Sequence, residues 1–140
     1  MILLIGIPDS SARKHVLSVM TVSAITDYMV ATLKPNEASQ LLASPDVLLV
    51  DVRDANETAA GSIAGAHLIP LDKLRADPDA ALPDRDARIV FICAKGIRSL
   101  AAAKLADRLG YTNVFNLDGG LSAWTKAGLP LTTVDERVAA

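Results

Sequence analysis

The chain has 140 residues, enough for one domain that closes its own core without disulfide or metal staples. Hydrophobic residues make up 51% and charged residues 21%, and a net charge of -2 supplies no general attraction to nucleic acid or an anionic membrane. A single cysteine excludes an internal disulfide, and no apolar run is long enough to span a bilayer, so a reducing, cytoplasmic setting with no transmembrane segment is expected.

Met1 to Ile7 is a short apolar run broken by Pro8-Asp9-Ser10-Ser11. Arg13-Lys14 and the following Val16 to Ala24 resemble the first two regions of a signal peptide, but the run starts late and carries polar interruptions. Residues 1–27 therefore read as an N-terminal extension, a helix capped near Ser10 or Ser11. Val16, Leu17 and Met20 are among its apolar positions, and it would pack on the domain or pair two subunits in a homodimer. Residues 28–131 read as the domain and residues 132–140 as a frayed polar tail.

Within the domain, short apolar runs alternate with helical patterns. Tyr28 to Thr32 reads as a strand, and Pro35 to Leu42 as a helix with proline in its first turn. Val47 to Val50 is an unbroken apolar run, as in a strand covered on both faces. Asn56 to Ala60 is a short helix closed by Gly61, and Ala66 to Ile69 a brief strand stopped by Pro70. Leu71 to Leu74 begins a helical turn that yields to a loop over residues 76–86. Arg88 to Ile92 is a central strand, Leu100 to Leu109 a helix ended by Gly110, Asn113 to Leu117 a fifth strand, and Gly120 to Ala127 a last helix. This alternation predicts an α/β fold: a central, mostly parallel five-stranded sheet with helices on both faces.

In such sheets ligands bind beyond the carboxyl ends of the strands. One rim then carries Asp51-Val52-Arg53, the loop from Cys93 to Ser99, and Asp118-Gly119-Gly120. Cys93 lies between a buried strand and a helix N-terminus, where free N–H groups and the helix dipole favour an anion and hence a thiolate. The rival reading, an inert core cysteine, does not explain the Gly, Arg and Ser that follow. Gly96 fits a backbone conformation that lets N–H groups converge on sulfur. Lys95 and Arg98 can hold an anionic donor and stabilise the thiolate, Arg98 with a two-pronged face. Ser99 can cap the helix or bond to the sulfur, capping being the simpler assignment. His67, in a short strand, reads as a satisfied histidine, and Trp124 as a core anchor. No metal-ligand spacing and no glycine-rich nucleotide loop occurs, so no metal or cofactor is expected.

Three segments resemble a known family. Asp51-Val52-Arg53 with Glu57, then Gly61 to Ala66 and Ile69-Pro70, resemble the first signature of rhodanese domains. Cys93, Gly96, Arg98 and Ser99 resemble their active-site loop. Gly110-Tyr111, Asn113-Val114, Leu117, Gly119-Gly120, Ala123-Trp124 and Ala127 to Pro130 resemble their C-terminal pattern. The resemblance runs from about Leu33 to Leu131 and implies a rhodanese-like fold and a thiosulfate:cyanide type of sulfurtransferase. Cys93 would carry sulfur as a persulfide, and Ala94, Lys95, Gly96, Ile97, Arg98 and Ser99 would bind substrate. Asp51, Arg53, Glu57 and Asp118 would form a structural rim, with Arg53 and Glu57 paired across the turn and Asp118 in a turn. Ser62 and Ala64 depart from the family's usual histidine and proline, with local effects expected.

The implied partners are a small sulfur donor, a cyanide or thiol acceptor, and a persulfide-exchanging protein. With no second cysteine to resolve it, a persulfide must pass to an external nucleophile. Two other readings compete. A cysteine-based phosphatase or arsenate reductase has one residue more between Cys and Arg than the four here, Ala94 to Ile97. A non-catalytic rhodanese-like binding module would have less reason to keep a complete loop.

Overall fold

Two strands with no polar side, β2 (Val47–Asp51) and β4 (Arg88–Ile92), form the middle of the sheet, because helices cover them on both faces. The computed structural model describes residues 30–133. The expected N-terminal helix, its pairing role and the tail beyond residue 133 lie outside the described residues. The remaining strands are β1 (Ala31–Leu33), β3 (His67–Leu68) and β5 (Asn113–Leu117), in the order β1-β5-β4-β2-β3. All four pairings are parallel. The helices are α1 (Pro35–Leu42), α2 (Ala55–Thr58), α3 (Leu71–Ala76), α4 (Pro78–Ala81), α5 (Ile97–Arg108) and α6 (Gly120–Lys126). No described helix is long and apolar enough to cross a membrane.

Period-two alternation along the strands splits the core into two layers. Val50, Ile89, Phe91 and Val114 pack with Leu74 of α3 and with Ala102, Ala103 and Ala106 of α5. Leu49, Val90, Ile92 and Leu117 face the other way, onto Ala38 of α1 and Leu121 and Trp124 of α6. Trp124 is the anchor its sequence position suggested: it is buried and its Nε1 donates to the Pro130 carbonyl at 2.8 Å.

Strand β1 includes Leu33, beyond the expected end at Thr32, and three further features differ from the sequence reading. Part of the expected loop over residues 76–86 is α4, because Asp77 accepts the Ala80 N–H at 3.2 Å as an N-cap and Pro78 takes the first helical position. The helix after Cys93 starts one turn earlier than Leu100, at Ile97, since the left-handed backbone of Gly96 (φ 93°) turns the chain straight into it. His67 is exposed on edge strand β3, at a groove lined also by Asp46, Val47 and Gly65 and not by the Cys93 loop.

At the end of β2 the buried Asp51 takes the Arg53 guanidinium on both oxygens, Nε at 3.0 and 3.2 Å and Nη2 at 2.9 Å. Ser62 Oγ adds a bond to Oδ2 at 2.6 Å, and Arg53 Nη2 also donates to the Gly61 carbonyl at 2.7 Å. The expected Arg53–Glu57 side-chain pair does not form. Arg53 reaches only the Glu57 backbone carbonyl, at 3.4 Å, because a carboxylate with no solvent contact competes harder for the cation. Ser62, at the departure from the family pattern, exchanges two backbone bonds with Thr132 at 3.0 and 2.7 Å and so ties the segment after α6 to this cluster. Arg53→Met should destabilise the domain by about 3–5 kcal/mol, because it strands the Asp51 charge. Urea unfolding monitored by Trp124 fluorescence measures this, and a loss below about 1 kcal/mol would contradict a compensating role for Arg53.

Candidate active site

The chain leaves β4 at Ile92, and two helix N-termini then shape the loop that follows. The carbonyls of Cys93 and Ala94 accept N–H groups from the first turn of α6, Leu121 at 2.9 Å and Ser122 at 3.0 Å. With those carbonyls turned toward α6, the next N–H groups turn toward the sulfur. Gly96 and Ser99 donate to Cys93 Sγ at 3.1 and 3.3 Å. Both flanking glycines are required by this closeness. A Cβ on Gly96 would stand 3.1 Å from the Gly119 nitrogen, and one on Gly120 would lie 2.6 Å from the Ala94 carbonyl and the Cys93 oxygen.

Cys93 is 1% exposed, and burial alone pushes its thiol up. The Ser99 hydroxyl and the N–H groups of Ser99, Gly96 and Lys95 oppose this, and the net shift is downward from the usual thiol value. The sulfur is therefore held in a nest of amide donors that favour its charged form.

Ser99 departs from its expected role. It sits inside the first turn of α5, and its hydroxyl lies 3.2 Å from Cys93 Sγ while donating to Asn116 Oδ1 at 2.6 Å. The helix is capped instead by the sulfur, which accepts the N–H groups that a serine or aspartate side chain normally takes. Arg98 also differs from a free anion-binding cation. Its guanidinium grips Glu57 at both ends, at 2.7 and 2.8 Å, across 41 positions of sequence. The Arg98 bond, outweighing the cost of burial, is the main reason the Glu57 carboxyl is held at about 2, and Arg98 is raised in turn.

Of the other expected loop residues, Lys95 and Ile97 are exposed, Ile97 to 78%, and Ala94 is half-buried. Beside the loop lies a groove of about 420 Å³ bordered by Val52, Asp54, Leu71, Arg75, Ile97 and Arg98. Its volume exceeds what a bare ion needs. Asp118 is an exposed turn residue whose N–H donates to the Leu33 carbonyl at 2.8 Å. The sequence reading missed Asn116. Its signal is a polar residue in a strand where alternation with Val114 puts it on a buried face.

Gly120→Ala forces the Cys93–Ala94 segment away from α6. The variant should stay folded by circular dichroism yet be alkylated by iodoacetamide at neutral pH about 10-fold more slowly, because the amide donors no longer converge on the sulfur. Unchanged kinetics would show that the α6 contact does not position the loop.

Residues 34–127 match the family described as the rhodanese-like domain. A sulfurtransferase of Allochromatium vinosum is 38% identical over 104 residues, covering 74% of this chain and 95% of that one. The human thiosulfate:glutathione sulfurtransferase is 38% identical over 105 residues, covering 66% and 91%. Among solved structures, a Rhodopseudomonas palustris protein of unknown function, described as a possible tyrosine phosphatase, superposes with a TM-score of 0.69 at 30% identity, covering 94% of this chain and 99% of that one. With its five-stranded parallel sheet, its cysteine loop between β4 and α5 and this match over most of its length, the chain belongs to the rhodanese-like domain family.

Proposed function

We propose that this protein is a sulfurtransferase that carries sulfane sulfur on Cys93. The observation that carries the reading is the position of Cys93 Sγ at the focus of the Gly96 and Ser99 N–H groups, which favour charge on sulfur without a metal or a general base. The Cys93 thiolate attacks the outer sulfur of thiosulfate. The new bond joins Sγ to that sulfur, the S–S bond to the sulfonate breaks, and sulfite leaves with the electron pair. Cys93 now ends in a persulfide anion. An acceptor, cyanide or a thiolate, attacks the outer sulfur, and Cys93 departs as thiolate, so charge and sulfur balance over the cycle. The relatives named for thiosulfate and glutathione support this donor and a thiol acceptor. The single cysteine requires that acceptor to come from outside the 140 residues, and an unpaired thiol is suited to a reducing cytoplasm.

The phosphatase reading fits less well. The loop has four residues between Cys93 and Arg98, and the Arg98 fork that would grip a phosphoryl group is closed on Glu57. The same closure bears on sulfur donors, since a dianion must compete with Glu57 for Arg98.

Incubation with thiosulfate should add one sulfur, ~32 Da, to the intact protein, and cyanide should remove it as thiocyanate. Cys93→Ser should show neither change. No adduct on folded protein with a reduced thiol would overturn the reading in favour of a binding module. Glu57→Gln frees Arg98 and should lower KM for thiosulfate about two- to fivefold, whereas Arg98→Ala should raise it, as steady-state kinetics would show. If neither variant moves KM, the anion is held by Lys95 and the loop amides instead.

A further inference from the structure

Asn116 lies in β5 between Phe91 of β4 and Thr32 of β1, on the sheet face covered by α5. It is 4% exposed, and its carbonyl oxygen takes the Ser99 hydroxyl proton at 2.6 Å. The same hydroxyl oxygen is 3.2 Å from Cys93 Sγ. We propose that Asn116 is a positioning residue that sets the protonation of Cys93 by competing with the sulfur for the single proton of Ser99.

The Ser99 hydroxyl has one proton and two acceptors within reach, and Asn116 Oδ1 can only accept. While the proton lies on the 2.6 Å contact, Ser99 shows the sulfur a lone pair, which suits a protonated thiol donating S–H to Oγ. A thiolate needs the reverse, with the hydroxyl turned to sulfur and its bond to Asn116 broken. The downward pull of Ser99 on the thiol is thus only partly available while Asn116 holds the proton. A persulfide escapes the conflict. Its charge sits on the outer sulfur, one bond beyond Sγ, and Ser99 can stay on Asn116. Asn116 therefore favours the resting thiol and the loaded persulfide over the bare thiolate. The consequence for the persulfide rests on the proposed sulfur transfer, whereas the competition for the proton does not.

Other charges lie around the loop. Lys95 lies in its loop, and Arg98 comes from α5 with Glu57 and Asp54 behind it on the α2 side. Asp51 and Arg53 close the end of neighbouring β2, and Asp118 the end of β5. Exchanging Asn116 for leucine alters none of them.

The test is the pH dependence of iodoacetamide alkylation, unambiguous in a chain with one cysteine. Asn116→Leu releases the Ser99 proton to sulfur and should move the alkylation midpoint down by about 0.5–1 pH unit. Asn116→Asp holds the proton harder and adds a negative charge, so its midpoint should move up by about 1 unit. In a Ser99→Ala background the Leu substitution should move nothing, which a general packing defect would not reproduce. If Asn116→Leu fails to fold, Asn116→Asp with and without Ser99 carries the test. An upward or absent shift in Asn116→Leu, or a shift that persists without Ser99, overturns the proposal. Thiosulfate loading of the same variants is read separately, so loss of the relay is distinguishable from loss of sulfur transfer.

Discussion

The structure around the site depends on one substitution of roles: a cysteine sulfur stands where a helix N-cap oxygen would stand. The opening N–H groups of a helix have no partner within it and must find one nearby. At the start of α5 the Ser99 N–H and that of the preceding Gly96 converge on Cys93 Sγ. The fold's own need to satisfy a helix terminus is thereby met by the sulfur proposed to carry the transferred atom. The arrangement is held from behind by α6, whose first amides take the carbonyls of Cys93 and Ala94. Two helix N-termini, facing one tripeptide from opposite sides, orient its peptide planes, and the close approach admits only glycine at Gly120.

Two ion pairs sort the charges near this loop, and their environments give them different weights. Asp51 and Arg53 are both buried, so their mutual attraction acts in a low dielectric and each is costly without the other. Glu57 and Arg98 are each about one third exposed and are screened by solvent. The first pair braces the rim of the sheet. The second can exchange partners, and for the proposed sulfur transfer that makes Arg98 a shared cation, divided between Glu57 and an arriving anion. The groove beside it, with Ile97 exposed at its mouth, leaves space for an acceptor at the same edge.

Ser99 shows how a buried hydroxyl can couple sites that sequence keeps apart. It bridges Cys93, six residues earlier, and Asn116, seventeen residues later, across the gap between α5 and β5. A hydroxyl donates once and accepts more than once, so its proton records which neighbour is the stronger acceptor. A group of this kind makes the sulfur's protonation sensitive to a strand residue that never touches it.

Local sequence determined the elements and the cysteine's place among them. Apolar runs without a polar side marked β2 and β4, glycine and proline marked the turns, and the strand–loop–helix order put Cys93 on the rim where parallel sheets bind ligands. These signals are short-range: side-chain period, turn chemistry and helix stops are written within a few residues of where they act. The partners were decided by the tertiary structure. Four-residue spacing suggested Arg53 with Glu57, but burial gave Arg53 to Asp51, and Glu57 met Arg98 only when α2 and α5 came together. Ser99 looked like a cap until the sulfur took that position, and Asn116 entered the site only when β5 was laid beside β4. Such pairings depend on which charges lose water and which strands become neighbours, and no single stretch of chain contains that information.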